Sequence, residues 1–231
     1  MGPPLDSKSD WVTVKTTLPT QPLPPNTERP SITTERMVLR TLTQDDLEQV
    51  WALRTQPEVM VWTGRGNVDA DKSETQAKLS PFLPPNDLKT YNWAICDKES
   101  GDIIGIGGVH LFIGDRGWPE IGYMFRKEYW GKGLATEFVR AFLASWNQLP
   151  RSEVEIQVQP DSLAEGEGAD GAAVEERLMA ITVGDNYRSQ NILTKCGFER
   201  FSVFKEPDLR DPSVEIELLL FRYLPGRALK N

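Results

Sequence analysis

The spacing of apolar residues along the chain predicts several helices. Large apolar residues recur every four positions between 134 and 146, which is typical of a helix with one broad stripe for packing on a sheet. A shorter helical pattern follows the N-cap signal Thr-Gln-Asp-Asp at residues 43–46, and another fills residues 71–83 before a Pro-Pro pair. A last helix is expected over residues 186–196, because Gly197 follows as a terminator.

Apolar runs and period-two alternation predict the strands of a sheet. Within residues 154–158, Val and Ile alternate with Glu and Gln, as in a strand with one face in solvent. A Glu-Ser-Gly-Asp sequence at 99–102 predicts a hairpin turn. Strands with helices between and after them predict an α+β (mixed α/β) domain. The other predicted strands are residues 36–42, 90–96, 103–112, 120–125, 178–183, 203–204 and 214–221.

The N-terminal segment has a composition unlike the rest of the chain. Residues 1–32 hold seven of the 17 prolines and few large apolar residues apart from Trp11. Such a segment favours extended conformations and buries little apolar surface of its own. We therefore expect a flexible arm over residues 1–32, with a partner-binding arm as the alternative, and one folded domain over residues 33–231.

The negative charge is concentrated in one segment. Residues 152–176 contain eight acids and no Lys or Arg, which equals the whole net charge of −8. The overall charge argues against nucleic acid as a partner, because phosphate binders carry a basic face. The acids lie in what we expect to be an insertion at about 160–177. Two interpretations are open, a solvated disordered loop or a surface that steers cationic acceptors.

The remaining composition restricts the compartment and the cofactors. No apolar run is long enough for a membrane helix, and the N-terminus has no secretory signal. The two cysteines, Cys96 and Cys196, are expected to be small buried residues in a reducing compartment, and no metal site is visible. We expect a soluble cytoplasmic protein that uses no metal.

The stretch from Glu120 to Glu137 carries the clearest chemical signal. A strand is followed by a short loop, Gly131-Lys132-Gly133, and then at once by the amphipathic helix. The first N–H groups of a helix have no intrahelical partner and bind anions, while glycines allow a phosphate to approach the backbone. The sequence is neither a Walker loop nor the three-glycine dinucleotide fingerprint. Taken alone, it is also compatible with a turn that merely permits a sharp corner.

A second block, Asn-x-x-Ser at 186–189 followed by Lys-Cys-Gly-Phe at 195–198, makes the pattern more specific. Together with residues 130–137, 35–46 and 120–123, it resembles the GNAT acetyltransferases, in particular the branch of ribosomal-protein N-terminal alanine and serine acetyltransferases. The resemblance covers about residues 33–224. It implies the GNAT fold, a central twisted, mostly antiparallel sheet flanked by helices, whose fourth and fifth strands splay to admit the pantetheine arm of CoA.

The resemblance also implies residues that bind acetyl-CoA, the co-substrate. Backbone groups of Tyr123, Met124 and Phe125 would pair with pantetheine and polarise the thioester carbonyl. Asn186 would reach the pantetheine or the attacking amine. Glu128 stands where the family usually has Gln or Arg, which removes a side-chain contribution and leaves the backbone cradle. The residues of that pyrophosphate cradle would be Gly131, Lys132, Gly133, Leu134 and Ala135.

Proton transfer has several candidates. Glu120 matches a family position proposed for the base, with a solvent-facing strand-end carboxylate as the alternative. His110, the only histidine, suits base chemistry but is also compatible with a packed or solvated residue. Many GNAT enzymes have a Tyr that acts as the general acid at the position where this chain has Leu193. Ser189 is the candidate substitute, although it is also suited to helix capping, and Tyr187 is a nearby phenol.

The function that these expectations support is an acetyl-CoA-dependent N-acetyltransferase. An amine of a protein N-terminus or of a small molecule would attack the thioester directly in a ternary complex. The alternative is a catalytically silent CoA-binding sensor or interaction module, which the Leu193 substitution and the insertion keep open. The partners expected are acetyl-CoA and an amine acceptor, with no nucleic acid and no membrane, in a monomer or a homodimer.

Overall fold

Residues 11–168 and 171–226 are described by a computed structural model of the chain. Within these residues the chain forms strands and α-helices joined by short turns. The strands are β1 Val12–Pro19, β2 Ile32–Thr33, β3 Met37–Arg40, β4 Tyr91–Asp97, β5 Ile103–Leu111, β6 Glu120–Phe125, β7 Arg151–Val158, β8 Leu178–Val183, β9 Glu199–Pro207 and β10 Glu215–Tyr223. The helices are α1 Leu47–Arg54, α2 Pro57–Met60, α3 Lys72–Leu79, α4 Leu134–Gln148 and α5 Tyr187–Lys195.

The main sheet has eight strands in the order β2-β3-β4-β5-β6-β8-β10-β9. Neighbouring strands are antiparallel except β6 and β8, which run parallel because the crossover between them contains α4. Parallel neighbours require a long crossover, and a helix usually supplies it. The mostly antiparallel sheet with flanking helices confirms the predicted fold class.

Both faces of the sheet are covered, because the strands alternate side chains between two helical layers. On one face, α4 buries its apolar stripe, including Phe142, against β4 residues such as Trp93. On the other face, α1 and α3 bury Leu53 and Leu79 against Ile106 of β5. The N-cap predicted at residues 43–46 is confirmed, since a capping box precedes α1, and the Asp71 side chain caps α3.

In contrast to the expected flexible arm, residues 11–32 contain a paired strand and core residues. Strand β1 pairs antiparallel with β7 along its whole length, and this β1–β7 ribbon buries Val14 and Leu18 on Trp118. Farther on, Leu23 is buried in the main core. Prolines did not prevent this, because Pro19 is the last residue of the strand and the other prolines of the segment lie outside it. Residues 1–10 of the predicted arm lie outside the described part of the chain.

The acidic segment also differs from a disordered solvated loop. Arg177 is buried, its guanidinium lies 4.8 Å from the centre of the Trp118 ring, and it pairs with Glu167 at 3.0 Å. Arg151 pairs with Glu176 at 3.1 Å. The segment is ordered because arginines at its two ends form ion pairs with its acids. Both arginines lie just outside residues 152–176, so a count of charges within that range does not include them. Asp170 lies outside the described residues.

Two further expectations concern the cysteines and the membrane. Cys96 and Cys196 are buried free thiols, as the sequence predicted. Burial raises the pKa of the Cys196 thiol to about 11, so this group is protonated at neutral pH. None of the helices in residues 11–168 and 171–226 has the length and apolar character that crossing a bilayer requires.

The substitution Leu18→Ala tests whether the ribbon is part of the fold. Leu18 is 3% exposed, so the variant should lose about 2–5 kcal/mol in free energy of unfolding, measured by urea denaturation. Thr17→Ala, on the exposed side of the same strand, is the control and should change stability by less than about 0.5 kcal/mol. Equal stability of the two variants would show that β1 does not contribute to the fold.

Candidate active site

The site is formed where the two parallel strands separate. Strands β6 and β8 share one register pair among the described residues, Glu120 with Met179, and the Met179 N–H donates to Pro119 O at 2.8 Å. Beyond this point the strands diverge, and a cavity of about 1280 Å³ opens between them. Of the twelve predicted site residues, eleven line this cavity; Lys132 does not.

The glycine loop presents an anion-binding helix end to the cavity. The first helical bond of α4 runs from the Glu137 N–H to Gly133 O at 3.1 Å, and no side chain of the described residues caps the helix. The amides ahead of that bond therefore have no helical partner. Gly131 and Gly133 adopt φ angles of +75° and +77°, which favour glycine, and a Cβ on Gly131 would meet nothing within 4 Å. That open space adjoins the donors that an anion needs.

Arg36 braces this loop, a role that the sequence did not indicate. Its Nη1 donates to Lys132 O at 2.7 Å, and its Nε donates to the Glu137 carboxylate at 2.8 Å. The Lys132 ammonium lies 5.1 Å from the centre of the Tyr129 ring, and Lys132 does not line the cavity. The lysine side chain thus contributes less to the anion site than its position in the motif suggested, while its backbone is part of the cradle.

The edge of β6 provides the wall of the cavity next to the loop. Tyr123, Met124 and Phe125 line it. The Trp130 indole N–H donates to Phe125 O at 2.8 Å, so the loop folds back onto the end of the strand. Glu128 points elsewhere and accepts hydrogen bonds from the Gln56 side chain. The cavity edge therefore presents backbone rather than charged groups at this point.

Two titratable candidates meet at the closed end of the cavity. His110 Nε2 lies 3.7 Å from Glu120 Oε1. Burial, with a further contribution from the charge of Asp115, raises the pKa of Glu120 to about 7. Burial lowers the pKa of His110, so the imidazole is neutral near pH 7. Glu120 is thus a largely buried carboxyl with a pKa near neutral pH, and not a solvent-facing group at a strand end.

A polar residue that the sequence analysis missed lies on the same face of the sheet. Asn92 is 4% exposed and lines the cavity, and its Oδ1 is buried with no hydrogen-bond partner among the described residues. Register places Asn92 opposite Gly108, and Gly108 opposite Gly122. The two glycines leave a bare floor, with the His110 ring 3.1 Å from where a Cβ of Gly122 would lie. The one feature of the sequence that could have indicated a role for Asn92 was the run of glycines in β5.

The other face of the sheet carries the candidates for an acid. Asn186 caps α5 by accepting the Ser189 N–H at 3.1 Å, so the Ser189 hydroxyl is not used for capping. That hydroxyl lies 3.1 Å from the Tyr123 hydroxyl. Leu193, at the family's usual tyrosine position, is 1% exposed and part of the core. Tyr187 is 68% exposed and lies outside the cavity wall.

The charges around the cavity do not include the acidic segment. None of the described acids of residues 152–176 lines the cavity. Arg188 and Lys195 of α5 do, and the Arg188 guanidinium lies 5.1 Å from the centre of the Trp130 ring. This positive side adjoins the glycine loop, which suits an anionic ligand. The structure thus gives no support to steering of cationic acceptors by the segment.

Comparisons with known proteins agree with this geometry. Residues 36–199 match the family model of the acetyltransferase (GNAT) domain. The uncharacterized N-acetyltransferase YoaA of Bacillus subtilis (strain 168) is 24% identical over 77% of this chain and 87% of its own.

Two solved structures share the fold. Spermidine N-acetyltransferase from Vibrio cholerae, in complex with CoA and spermine, has a TM-score of 0.62 at 14% identity and covers 85% of this chain and 100% of its own. Ribosomal-protein-S5-alanine acetyltransferase from Vibrio fischeri has a TM-score of 0.58 at 15% identity and covers 88% of this chain and 100% of its own.

The substitution Gly131→Ala tests the anion cradle. The methyl group would occupy the open space beside the amides, so we expect the Kd for coenzyme A to rise roughly 10–100-fold, measured by calorimetry. Gly101→Ala is the matched control, because Gly101 has a similar φ of +78° and open surroundings in the β4–β5 turn. It should cost similar stability and leave the Kd unchanged. A Kd raised equally in both variants would attribute the effect to general strain.

Proposed function

The chain belongs to the GNAT acetyltransferase family, and we propose that it transfers the acetyl group of acetyl-CoA directly to a primary amine, without a covalent enzyme intermediate. The family is one of N-acetyltransferases, so the general reaction is acetyl transfer. The observation that carries the finer proposal is the meeting of Glu120 and His110 at the closed end of the β6–β8 cavity. A base at that point can act on an amine that lies beside the strand edge.

The residues present suit acetyl-CoA. The uncapped end of α4 and its two glycines fit a pyrophosphate, and the edge of β6 fits the amide-rich pantetheine arm as a further strand would. When bound, acetyl-CoA supplies the activated acetyl group. The chain's own part is to hold the thioester at the β6 edge, where backbone N–H groups stabilise negative charge on its carbonyl oxygen.

Glu120 is the proposed base. A carboxyl with a pKa of about 7 is half ionised at neutral pH and accepts a proton from the attacking amine. An α-amine is roughly a tenth neutral at pH 7, so a base of this strength suffices. His110 is neutral and near enough to relay the proton from Glu120 to solvent, because its side chain is about one third exposed.

The acceptor amine is proposed to lie on the bare floor of the sheet. Asn92 bounds the floor on β4 and Glu120 bounds it on β6, roughly 10 Å apart across two strand spacings. Gly108 and Gly122 contribute no side chains of their own to this floor, and the neighbouring side chains are those of Asn92 and His110. An N–H group of the acceptor would satisfy the buried Asn92 oxygen, whose lack of a partner otherwise costs stability.

Turnover distinguishes this proposal from a catalytically silent CoA-binding protein. CoA thiol release would be measured with acetyl-CoA and a panel of acceptors. The panel contains peptides with N-terminal Ala or Ser and polyamines, chosen after the acceptors named for the structural neighbours. Release that requires one acceptor class supports the transferase and identifies its substrate. CoA binding without release for any acceptor would favour the sensor.

The pH dependence of Glu120→Gln tests the base. In the wild type, kcat/KM for acetyl-CoA should rise with pH and be half-maximal near pH 7, because only ionised Glu120 accepts a proton. In the variant, kcat/KM should no longer show this pH dependence and should be roughly 10²–10⁴-fold lower. His110→Gln is the comparison and should keep the step near pH 7. If His110→Gln removes the step and Glu120→Gln keeps it, the assignment of the base is reversed.

The same variant gives a stability reading. The raised pKa of Glu120 favours the neutral carboxyl in the folded state, so its stabilising contribution is complete below about pH 4.5 and lost as pH rises through about 7. Glu120→Gln does not ionise. Its gain in unfolding free energy over the wild type should therefore grow between pH 4.5 and 8, by roughly 2–3 kcal/mol. A gain in unfolding free energy that does not depend on pH would show that folding does not raise the pKa of Glu120.

Asn92→Ala tests the acceptor floor. Loss of the acceptor contact should raise KM for the amine roughly tenfold and leave KM for acetyl-CoA unchanged. Stability should be unchanged or slightly improved, because the Asn92 oxygen has no partner to lose. Asn147→Ala, outside the cavity, is the control. Reduced stability with an unchanged amine KM would indicate a structural role for Asn92.

A further inference from the structure

Departure of the thiolate requires a proton donor, and the helix position that usually supplies one is occupied by Leu193. Leu193 is buried in the core and has no proton to give. Within the described cavity wall, the α5 side of the sheet brings together two hydroxyl groups, those of Tyr123 and Ser189. This inference rests on the proposed acetyl transfer and identifies the group that completes it.

The structure aims the Tyr123 side chain toward α5. Residues 120 and 123 lie on opposite faces of β6, so the phenol lies on the α4–α5 side of the sheet, opposite Glu120. Gly107 is the register partner of Tyr123, and a Cβ there would come within 2.7 Å of the Tyr123 Cβ and 2.8 Å of the Phe138 ring. The missing side chain allows Tyr123 to pack on Phe138, with 6.3 Å between ring centres.

Contact with Ser189 fixes the far end of the phenol. The two hydroxyl oxygens are 3.1 Å apart, and Ser189 itself is held because Asn186 caps its amide. The phenol therefore has one orientation in which it borders the cavity at the strand that would carry the thioester. Tyr187 is exposed and lies outside the cavity wall, and Leu193 lines the cavity with an aliphatic side chain that has no proton to donate.

We propose that Tyr123 is the proton donor to the leaving thiolate and that Ser189 positions its hydroxyl. As the C–S bond breaks, its electron pair passes to sulfur and the Tyr123 O–H gives its proton to that atom, which yields the CoA thiol. The phenolate regains a proton from solvent through the Ser189 hydroxyl. The proton lost by the amine leaves separately on Glu120, so the overall reaction converts amine and thioester to amide and thiol.

Of the two hydroxyls, the phenol is the better source of the proton. A phenol is a much stronger acid than an aliphatic hydroxyl such as that of Ser189. Burial raises the pKa of the Tyr123 phenol, so it keeps its proton throughout the neutral pH range in which Glu120 works as a base. The same shift makes the phenol a weaker acid, and it is offset because the basicity of a thiolate also rises in the same water-poor place.

Single-turnover kinetics of Tyr123→Phe test the proposal. With enzyme in excess over acetyl-CoA, we expect the rate constant to fall about a hundredfold or more while the Kd for acetyl-CoA stays within about twofold. Tyr187→Phe is the control, because it removes an exposed phenol on α5, and it should keep the wild-type rate. Ser189→Ala should lose less, and the double variant should be no slower than Tyr123→Phe alone, because Ser189 acts through Tyr123.

A binding measurement tests the same contact without turnover. A donor at sulfur stabilises the thiolate of bound CoA, so its pKa, followed by thiolate ultraviolet absorbance, should rise by about one unit or more in Tyr123→Phe. The wild-type protein could bind CoA, show the lower thiol pKa that depends on Tyr123, and still not turn over any acceptor. The proposed acetyl transfer would then fail, while the contact between Tyr123 and the CoA sulfur would be confirmed. An unchanged thiol pKa, or a Tyr123→Phe rate within threefold of wild type, would overturn the assignment of Tyr123.

Discussion

The constraint on which the site depends is that β6 and β8 pair at one point, Glu120 with Met179, and then separate. A sheet interior normally satisfies its backbone N–H and C=O groups through neighbouring strands, because unpaired buried groups are costly. Here a strand edge faces a cavity inside an eight-stranded sheet. An extended ligand with amide groups can pair with such an edge, and pantetheine has this character. The point of divergence is also what buries Glu120 and shifts its ionisation toward neutrality.

The β1–β7 ribbon and the acidic segment support that point. Met179, the partner of Glu120, packs in the cluster under the β1–β7 ribbon together with Leu18 and Trp118. Because paired residues face the same side of a sheet, the ribbon covers the sheet on the side where Glu120 lies. Arg116, beside Trp118, pairs with Asp161 of the acidic segment at 3.2 Å. The ribbon and the acidic segment thus stabilise the closed end of the cavity without lining it.

The features that could be predicted from the sequence are those that depend on residues close together in the chain. The glycine loop, the helix caps and most strands depend on neighbouring residues, and they were predicted from spacing alone. Pairing of β1 with β7 joins residues more than a hundred positions apart, and the compensation of the acidic segment depends on Arg151 and Arg177 at its flanks. Neither leaves a local signal. Asn92 and the Tyr123 side chain were missed for a related reason, since their roles arise from glycines on the adjacent strand β5.

Alternation along β6 places the two groups proposed for proton transfer on opposite faces of one strand. Glu120 lies with His110 on the face that carries the bare floor, whereas Tyr123 lies with Ser189 on the face toward α5. A thioester held at the strand edge would have the amine on one side and its sulfur toward the other. A base and an acid on the same face would exchange a proton with each other before reacting. Three residues of extended chain separate them by roughly 10 Å and by the sheet itself, so each is free to serve its own reaction partner.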